Sequence, residues 1–291
     1  MKIGVVFPQT EIGQDPAAIR DYAQAVESLG YTHMLAFDSV VGANPDRPGG
    51  WDSQYDYRHA FHEPFVLFGF CAGVTRSIEL VTGIIILPQR QTTLVAKQAA
   101  AVDVLSGGRL RLGIGVGWNQ VEFEALSENF TNRGKRIEEQ IDLMRRLWTK
   151  DLVTYEGRWH RMPDAGINPL PVQRPIPVWM GGDSEVVIRR AARLGDGWIT
   201  LPSFRPGPEG QQTVDRLHGL IKEAGRDPAA FGIEARMALA KTPPEQRGEE
   251  IAAWRAMHGI THLCVNTMGL GNPSPIDHVR TLERFKRDVL E

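Results

Sequence analysis

Two hydrophobic patterns alternate along the whole chain. Short runs of β-branched and other apolar residues, such as Lys2–Phe7, are typical of buried strands. The segment between Asp15 and Gly30 instead carries apolar residues three or four positions apart. It begins with an N-cap residue followed by proline and ends at glycine, which predicts a helix.

The same two hydrophobic patterns continue to the end of the chain. It predicts strands at 2–7, 33–37, 77–86, 110–116, 175–182, 195–201, 231–238 and 261–266. It predicts helices at 16–29, 94–105, 134–150, 184–194, 211–224, 245–258 and 276–289. Eight strands, nearly each followed by a helix, are typical of a parallel sheet, and at 291 residues a closed (β/α)8 TIM barrel is favoured over an open doubly wound sheet. We therefore expect one barrel domain spanning residues 1–291.

Two long segments without a helical pattern interrupt this alternation. The first insertion, Val40–Pro64, follows the second strand and is rich in Gly, Pro, Trp, Tyr and His. The second insertion, Asp151–Arg174, precedes the fifth strand. Long loops in compact domains are often functional, so both are expected to cover a site, with a variable surface loop as the alternative.

Composition excludes several classes of protein. Hydrophobic residues make up 42% and charged residues 23% of the chain, and the net charge is −2, which does not favour nucleic acid or a membrane surface as a partner. Cys71 and Cys264 lie in apolar contexts and are expected to be small core residues in a reducing compartment. The chain begins directly with a strand, and no apolar run approaches the ~18 residues of a membrane span, so a cytoplasmic location is expected.

The carboxyl ends of the strands are where a barrel of this type carries its chemistry. Asp38 is the only metal-ligating residue directly at a predicted strand end, and His62 and Glu63 lack the spacing of a helical zinc motif, so no metal site is expected. A serine hydrolase is also disfavoured, because the chain has no G-x-S-x-G elbow.

The glycine-rich stretch GGRLRLGIGVGW, residues 107–118, resembles a dinucleotide fingerprint only superficially. Gln120 stands where the third glycine would be, and the stretch follows the fourth strand rather than the first. Gly113, Gly115 and Gly117 are spaced by two, so they face one side of the strand. That side permits close approach of either a planar ligand or neighbouring barrel atoms, and both interpretations stay open for Gly113, whereas ligand contact is favoured for Gly117.

A second glycine pair ends the fifth strand. Gly181 and Gly182 are followed by Asp183 and Ser184, which open a helix. The free N–H groups and positive dipole end of a helix N-terminus suit a phosphate, although ordinary N-capping explains the same residues.

These segments together resemble the luciferase-like monooxygenase superfamily. The likeness rests on GIIILPQRQTTLVAKQAAAVDVLSGGRLRLGIGVGW and WMGGDSEVVIRRAARLGDGW. HEPFVLFGF, VEFEAL and RGKRIEEQIDLMRRLW further resemble the actinobacterial branch that depends on the deazaflavin coenzyme F-420.

The resemblance implies that FMN or coenzyme F-420 binds across the mouth of the barrel. The ring would rest against a strand-three bulge with a non-prolyl cis peptide, which maps to Gly83-Ile84. The phosphate-bearing tail would meet backbone N–H groups near Gly117 and near Gly182. The full set of expected cofactor-binding residues is Phe7, Pro8, Gly83, Ile84, Gly115, Val116, Gly117, Trp118, Met180, Gly181, Gly182, Asp183 and Ser184.

Two departures from the family pattern bear on the cofactor and on acid–base chemistry. FMN-using members often place an arginine where this chain has Val116, so its absence favours the deazaflavin. Many deazaflavin-dependent relatives carry Asp-His where this chain has Asp38-Ser39, and a serine cannot move a proton near neutral pH alone. The expected catalytic group is therefore Asp38 and Ser39, with His62 or Glu63 of the first insertion as substitutes.

The implied reaction is hydride transfer between coenzyme F-420 and a small, apolar organic substrate. The alternatives are an FMN-dependent monooxygenase supplied by a partner flavin reductase, and a cofactor-binding homologue without activity. The residues expected to contact substrate are Trp51, Phe61, Arg90 and Trp159. A homodimer is expected from the resemblance alone.

Overall fold

A closed ring of parallel strands forms the centre of the computed structural model, which describes residues 1–272 and 274–291. The strands are β1 (Lys2–Val6), β2 (His33–Ala36), β3 (Glu79–Thr82), β4 (Ile85–Ile86), β5 (Leu110–Gly115), β6 (Val153–Glu156), β7 (Arg161–Ala165), β8 (Val178–Gly181), β9 (Gly197–Ile199), β10 (Gly232–Ala238) and β11 (His262–Asn266). Around the ring the order is β1, β2, β3 with β4, β5, β8, β9, β10 and β11, which pairs with β1 again. The predicted eight-stranded parallel barrel is confirmed.

Helices surround this ring. They are α1 (Pro16–Ser28), α2 (Pro64–Val74), α3 (Thr92–Ser106), α4 (Gln120–Ala125), α5 (Arg133–Thr149), α6 (Glu185–Leu194), α7 (Pro208–Glu223), α8 (Arg247–Ala256) and α9 (Pro275–Phe285). Among the described residues, none of these helices is both long enough and apolar enough to cross a membrane.

Side chains alternate between the inside of the barrel and the layer under the helices. The inner apolar cluster consists of Val6, Leu35, Val81, Trp179, Ile199 and Cys264. On β10, Ile233, Ala235 and Met237 belong to the larger outer cluster, whereas Glu234 bonds to side chains of other strands. This alternation follows from the period of two in a strand.

Glycines let the barrel wall close tightly. A Cβ added at Gly113 would lie 2.0 Å from the carbonyl oxygen of Thr82 on the neighbouring β3, so no larger residue fits there. The close-packing interpretation therefore accounts for this glycine of the period-two series.

The amino-terminal end of the barrel holds a buried charged network. Glu234 accepts from Arg111 Nη1 at 2.6 Å and pairs with His33 Nε2 at 2.9 Å. Arg111 also pairs with Glu79, and His262 packs edge-on against Trp179. Glu234 is fully buried, so the neighbouring charges replace the solvation that it loses.

This network includes the one potential metal-ligating group found in the described residues. Ligand atoms of His33, Glu234 and Cys264 lie within 4.8 Å of one another. The guanidinium of Arg111 is bound to the same carboxylate, and this positive charge disfavours a cation there.

The structure differs from the predicted elements in several places, among them the short helix α4, which was not predicted. The third predicted strand is divided into β3 and β4 at Gly83-Ile84. The apolar run Pro64–Val74 forms α2, which was not predicted because its residues are apolar on every side. The second insertion contains the antiparallel hairpin β6–β7. This segment is indeed without a helix, but the hairpin was not predicted, because its two short strands stand outside the alternation of strands and helices in the barrel.

Candidate active site

A buried ion-pair cluster lies where β2 and β4 end. Asp38 accepts from Arg90 Nη2 at 2.8 Å and from the backbone N–H of Ile86 at 3.0 Å. The other end of the same guanidinium donates to Glu63 at 2.9 Å. Three residues that were predicted for catalysis or substrate contact are thus brought together, with Arg90 between the two carboxylates.

The environment of Asp38 sets its ionisation. Its side chain is 1% exposed, and burial raises its pKa, while Arg90 and the Ile86 N–H oppose this shift. Glu63 also caps α2 by accepting from the backbone N–H of Val66 at 2.8 Å. Both carboxylates therefore serve to hold the strand ends and the start of α2 in place.

Glu122 anchors the start of the first insertion and was not predicted. Its carboxylate accepts from the backbone N–H groups of Val40 and Val41, and it is buried. Burial raises its pKa, and the hydrogen bond from Val40 opposes the rise. The sequence carried only a weak signal for this role, a short helix opened by Asn119.

Aromatic side chains of the first insertion gather beside the end of β5. The rings of Trp51 and Trp118 lie 5.7 Å apart, and Trp51 Nε1 donates to the carbonyl of Tyr55 at 2.8 Å. Tyr55 in turn packs edge-on against Phe61 at 5.0 Å. Trp51 and Phe61, predicted for substrate, and Trp118, predicted for cofactor, thus belong to one aromatic cluster.

His62 lies beside the ion-pair cluster, immediately before Glu63. Its Nε2 is buried and has no hydrogen-bond partner in the described part of the chain. Ser39 follows Asp38 directly and is partly exposed. Because Asp38 and Glu63 are engaged with Arg90, His62 is the predicted catalytic residue with a ring nitrogen left available.

The expected cis peptide is present between Gly83 and Ile84. The Ile84 side chain fills the space beside two of the predicted glycines: an added Cβ would lie 2.6 Å from it at Gly115 and 2.8 Å from it at Gly181. We call this arrangement of Ile84 on Gly115 and Gly181 the Ile84 shelf. It connects the start of β4 with the ends of β5 and β8 at the mouth of the barrel.

The ends of β5 and β8 present backbone rather than bulky side chains. Gly182 has a φ of 122°, a conformation that favours glycine, and its carbonyl accepts from Trp198 Nε1 at 2.6 Å. Ser184 caps α6 by accepting from Val187, and both Asp183 and Ser184 are exposed. The capping interpretation is confirmed for Ser184, and it leaves the first N–H groups of α6 available.

Arg133 is a cation near this region that sequence reasoning missed. Its Nε donates to the carbonyl of Gly117 at 3.3 Å, and its guanidinium lies 3.6 Å from the centroid of the Phe130 ring. Val116 carries no charge, but the first residue of α5 brings a guanidinium to the adjacent position. This contact could not be inferred from the sequence, because Arg133 follows Gly117 by 16 positions.

Some predicted residues are placed away from the mouth. The side chains of Phe7 and Met180 belong to the outer apolar cluster, and Phe7 packs on Tyr22 of α1 at 5.7 Å. Phe7, Met180 and the buried Pro8 could therefore contribute to a ligand site mainly through backbone atoms. In the described residues, the recorded contacts of Trp159 are to Glu139 of α5 and to the neighbouring Arg158, not to the strand ends.

Comparison with known proteins agrees with this architecture. Residues 1–282 match the model of the luciferase-like monooxygenase family. The chain is 32% identical to an F420-dependent glucose-6-phosphate dehydrogenase of Intrasporangium calvum, over 100% of this chain and 98% of that protein.

Two solved structures share the fold. An F420-dependent secondary alcohol dehydrogenase in complex with an F420-acetone adduct superposes with a TM-score of 0.76 at 17% identity, over 99% of this chain and 97% of the other. The oxygenating constituent of 3,6-diketocamphane monooxygenase from Pseudomonas putida, in complex with FMN, gives a TM-score of 0.73 at 15% identity, over 99% and 97% of the two chains. The chain therefore belongs to the luciferase-like monooxygenase family and is an oxidoreductase or monooxygenase of that family.

Proposed function

We propose that this protein is an oxidoreductase that transfers a hydride between coenzyme F-420 and a small, largely apolar organic substrate. The observation that carries the proposal is the Ile84 shelf, a partly exposed apolar side chain that packs on two glycines at the strand ends of the barrel mouth. The choice of F-420 is supported by the relative that matches the whole chain and is named F420-dependent.

The residues present fit a planar group with a phosphate-bearing tail. Ile84 is partly exposed and would face the ring. Gly117, Gly182 and Ser184 would approach the tail through their backbone, and Arg133 would supply a positive charge. When bound, the deazaflavin would accept or donate the two electrons of the hydride.

Residues of the chain would orient the substrate and would hold or move its proton. Asp38, fixed by Arg90 and the Ile86 N–H, would keep the loop after β2 in one conformation. His62, whose Nε2 lacks a partner in the described chain, would hold or move the proton of the substrate oxygen or nitrogen. The aromatic cluster of Trp51, Tyr55 and Phe61 would exclude water from the mouth.

An FMN-dependent monooxygenase is the second candidate, because Arg133 supplies the cation that Val116 does not. The absence of a cation at Val116 argued against FMN, yet Arg133 places a guanidinium next to Gly117. A fixed cation there suits the terminal phosphate of FMN as well as the phosphate of F-420. Such an enzyme would need a partner reductase to supply reduced flavin.

Titration of the purified protein with both cofactors tests the proposal. We expect F-420 to bind at least about ten-fold more tightly than FMN, measured by fluorescence quenching and by calorimetry. Tight FMN binding without F-420 binding would replace the first candidate with the second. If neither cofactor bound, both proposals would fail.

The protein is also proposed to form a homodimer through α2 and α3. Val66 is 71% exposed, Phe70 40% and Leu94 52%, and the two helices pack side by side. Val66 and Phe70 are four residues apart and so share one face of α2, and contiguous exposed apolar patches mark interaction surfaces.

Light scattering should give twice the 32.4 kDa mass of one chain. We expect Phe70→Glu to reduce the mass to that of one chain, because the interface cannot solvate a charge. Ile276→Glu on α9, where the wild-type side chain is 52% exposed, is the matched control and should leave the mass unchanged. A wild-type mass of one chain would refute the dimer.

A further inference from the structure

Arg236 differs from the other arginines inside the barrel. It lies on β10 two residues after Glu234, so it occupies the same inward face one layer nearer the mouth. Its guanidinium lies 5.7 Å from the centroid of the Phe37 ring, which follows β2 and is three strands away around the ring. The side chain therefore reaches across the barrel mouth.

The charges around Arg236 are not balanced. Arg90 and Arg111 are each bound to two carboxylates. Within the described residues, no carboxylate oxygen lies within 4.0 Å of the Arg236 guanidinium, and its Nε is buried without a partner. Its one recorded hydrogen bond runs from Nη2 to the carbonyl of Thr200 at 2.7 Å. Glu234, one layer below, is already occupied by Arg111 and His33.

A guanidinium in this position needs an anion. Arginine stays protonated in proteins, and a desolvated charge without a counter-ion is costly. Burial lowers the pKa of Arg236, and Glu234 only partly opposes this shift. The planar fork of the guanidinium matches the two oxygens of a carboxylate.

The surroundings of Arg236 are aromatic and apolar. The ring of Phe37, 5.7 Å from the guanidinium, is partly buried against the inner apolar cluster. Tyr55 of the first insertion is near enough for Arg236 to affect it: burial raises the pKa of Tyr55, and Arg236 opposes the rise. A ligand bound here would meet one fixed positive charge beside the aromatic rings of Phe37 and Tyr55.

We propose that Arg236 forms a carboxylate-binding subsite at the barrel mouth, so that the substrate is a small acid with an apolar or aromatic body. This inference rests on the proposed function for its role in substrate choice, but the anion site itself can be tested without any reaction. The other source of an anion is the bound cofactor, and the experiment separates the two.

The test measures binding of benzoate and of its neutral isostere benzamide to the purified full-length protein, with and without F-420 or FMN. Acetate serves as a smaller carboxylate probe. We expect benzoate to bind at least about ten-fold more tightly than benzamide by calorimetry, and Arg236→Gln to abolish this preference. Arg236→Lys, which keeps the charge but not the fork, should retain part of it.

Arg287→Gln is the matched control, because Arg287 is a surface residue that is 64% exposed, and it should keep the full preference. Circular dichroism and melting temperature establish that each variant is folded. The proposal is overturned if neither benzoate nor acetate shows binding that depends on Arg236. It is equally overturned if Arg236→Gln weakens cofactor binding about ten-fold, since the charge would then serve the cofactor. Failure of the wild type to bind either cofactor would refute the proposed function and leave the carboxylate result unaffected.

Discussion

Replacing Glu234 with Gln is expected to destabilise the protein by about 3–5 kcal/mol, because it breaks a buried ion-pair network. The substitution keeps the shape of the side chain but leaves Arg111 and His33 beside a neutral amide in the barrel interior. Arg111 is 2% exposed and cannot recover solvation from water. Thermal unfolding monitored by fluorimetry should show a melting temperature lower by roughly 6–15 °C.

The same network predicts lower stability in acid. Burial would raise the pKa of Glu234, but Arg111 and His33 outweigh it and hold that pKa far below its ordinary value. Burial lowers the pKa of His262 from 6.5 to about 3. Both groups resist protonation in the folded state, so the unfolded chain binds more protons as the pH falls. The contribution of His262 to stability is lost between about pH 6.5 and 3, and that of Glu234 is lost below about pH 4.5 and onward below pH 3. In the Glu234→Gln variant, the loss of stability that comes from protonation of the carboxylate below about pH 4.5 should be absent.

Glu185→Gln is the matched control for the first prediction. Glu185 also binds two arginines, Arg189 and Arg216, but all three side chains are at least 42% exposed. Exposed ion pairs of this kind contribute less than about 1 kcal/mol, so the melting temperature should change little. Equal losses in the two variants would show that burial of Glu234 has no special importance.

Hydrophobic periodicity was sufficient to predict the barrel, but not the helix α2. Strands such as β5 and β10 alternate inward and outward residues, which gives a period of two in the sequence. Helices such as α6 carry one apolar face, which gives a period of about 3.6, so the two kinds of element could be distinguished. The run that forms α2 is apolar on all sides, since Val66 and Phe70 are exposed while Phe65 and Phe68 are buried. Because its exposed and its buried positions carry the same types of apolar residue, the periodicity of the sequence could not reveal the helix.

The candidate site was predicted best where it consists of backbone and worst where it depends on paired side chains. The cis peptide at Gly83-Ile84 and the helix cap at Ser184 follow from local sequence and family resemblance. Arg90 was expected to contact the substrate, yet it lies between Asp38, 52 positions away, and Glu63, 27 positions away. Contacts between such distant positions depend on which strand ends meet, and hydrophobic patterns do not specify this.

Gly182→Val is expected to reduce cofactor affinity at least about 100-fold, because it removes the backbone surface proposed for the phosphate tail. Gly182 has a φ of 122°, which a β-branched residue rarely adopts. An added Cβ would also lie 3.2 Å from the Val187 side chain. The backbone is held in place by the hydrogen bond from Trp198, so it cannot readily move aside.

The control must separate backbone strain from loss of the binding surface. Gly207 has a similar φ of 130° and no neighbouring atoms within 4 Å of an added Cβ, so Gly207→Val introduces comparable strain in the loop before α7. Both variants should melt at a temperature lower by a few degrees, since such backbone strain costs about 1–3 kcal/mol. Only Gly182→Val should lose F-420 or FMN binding in the fluorescence titration. If a folded Gly182→Val variant bound cofactor as the wild type does, the end of β8 would have no part in the cofactor site, and the tail would have to bind at Gly117 and Arg133 alone.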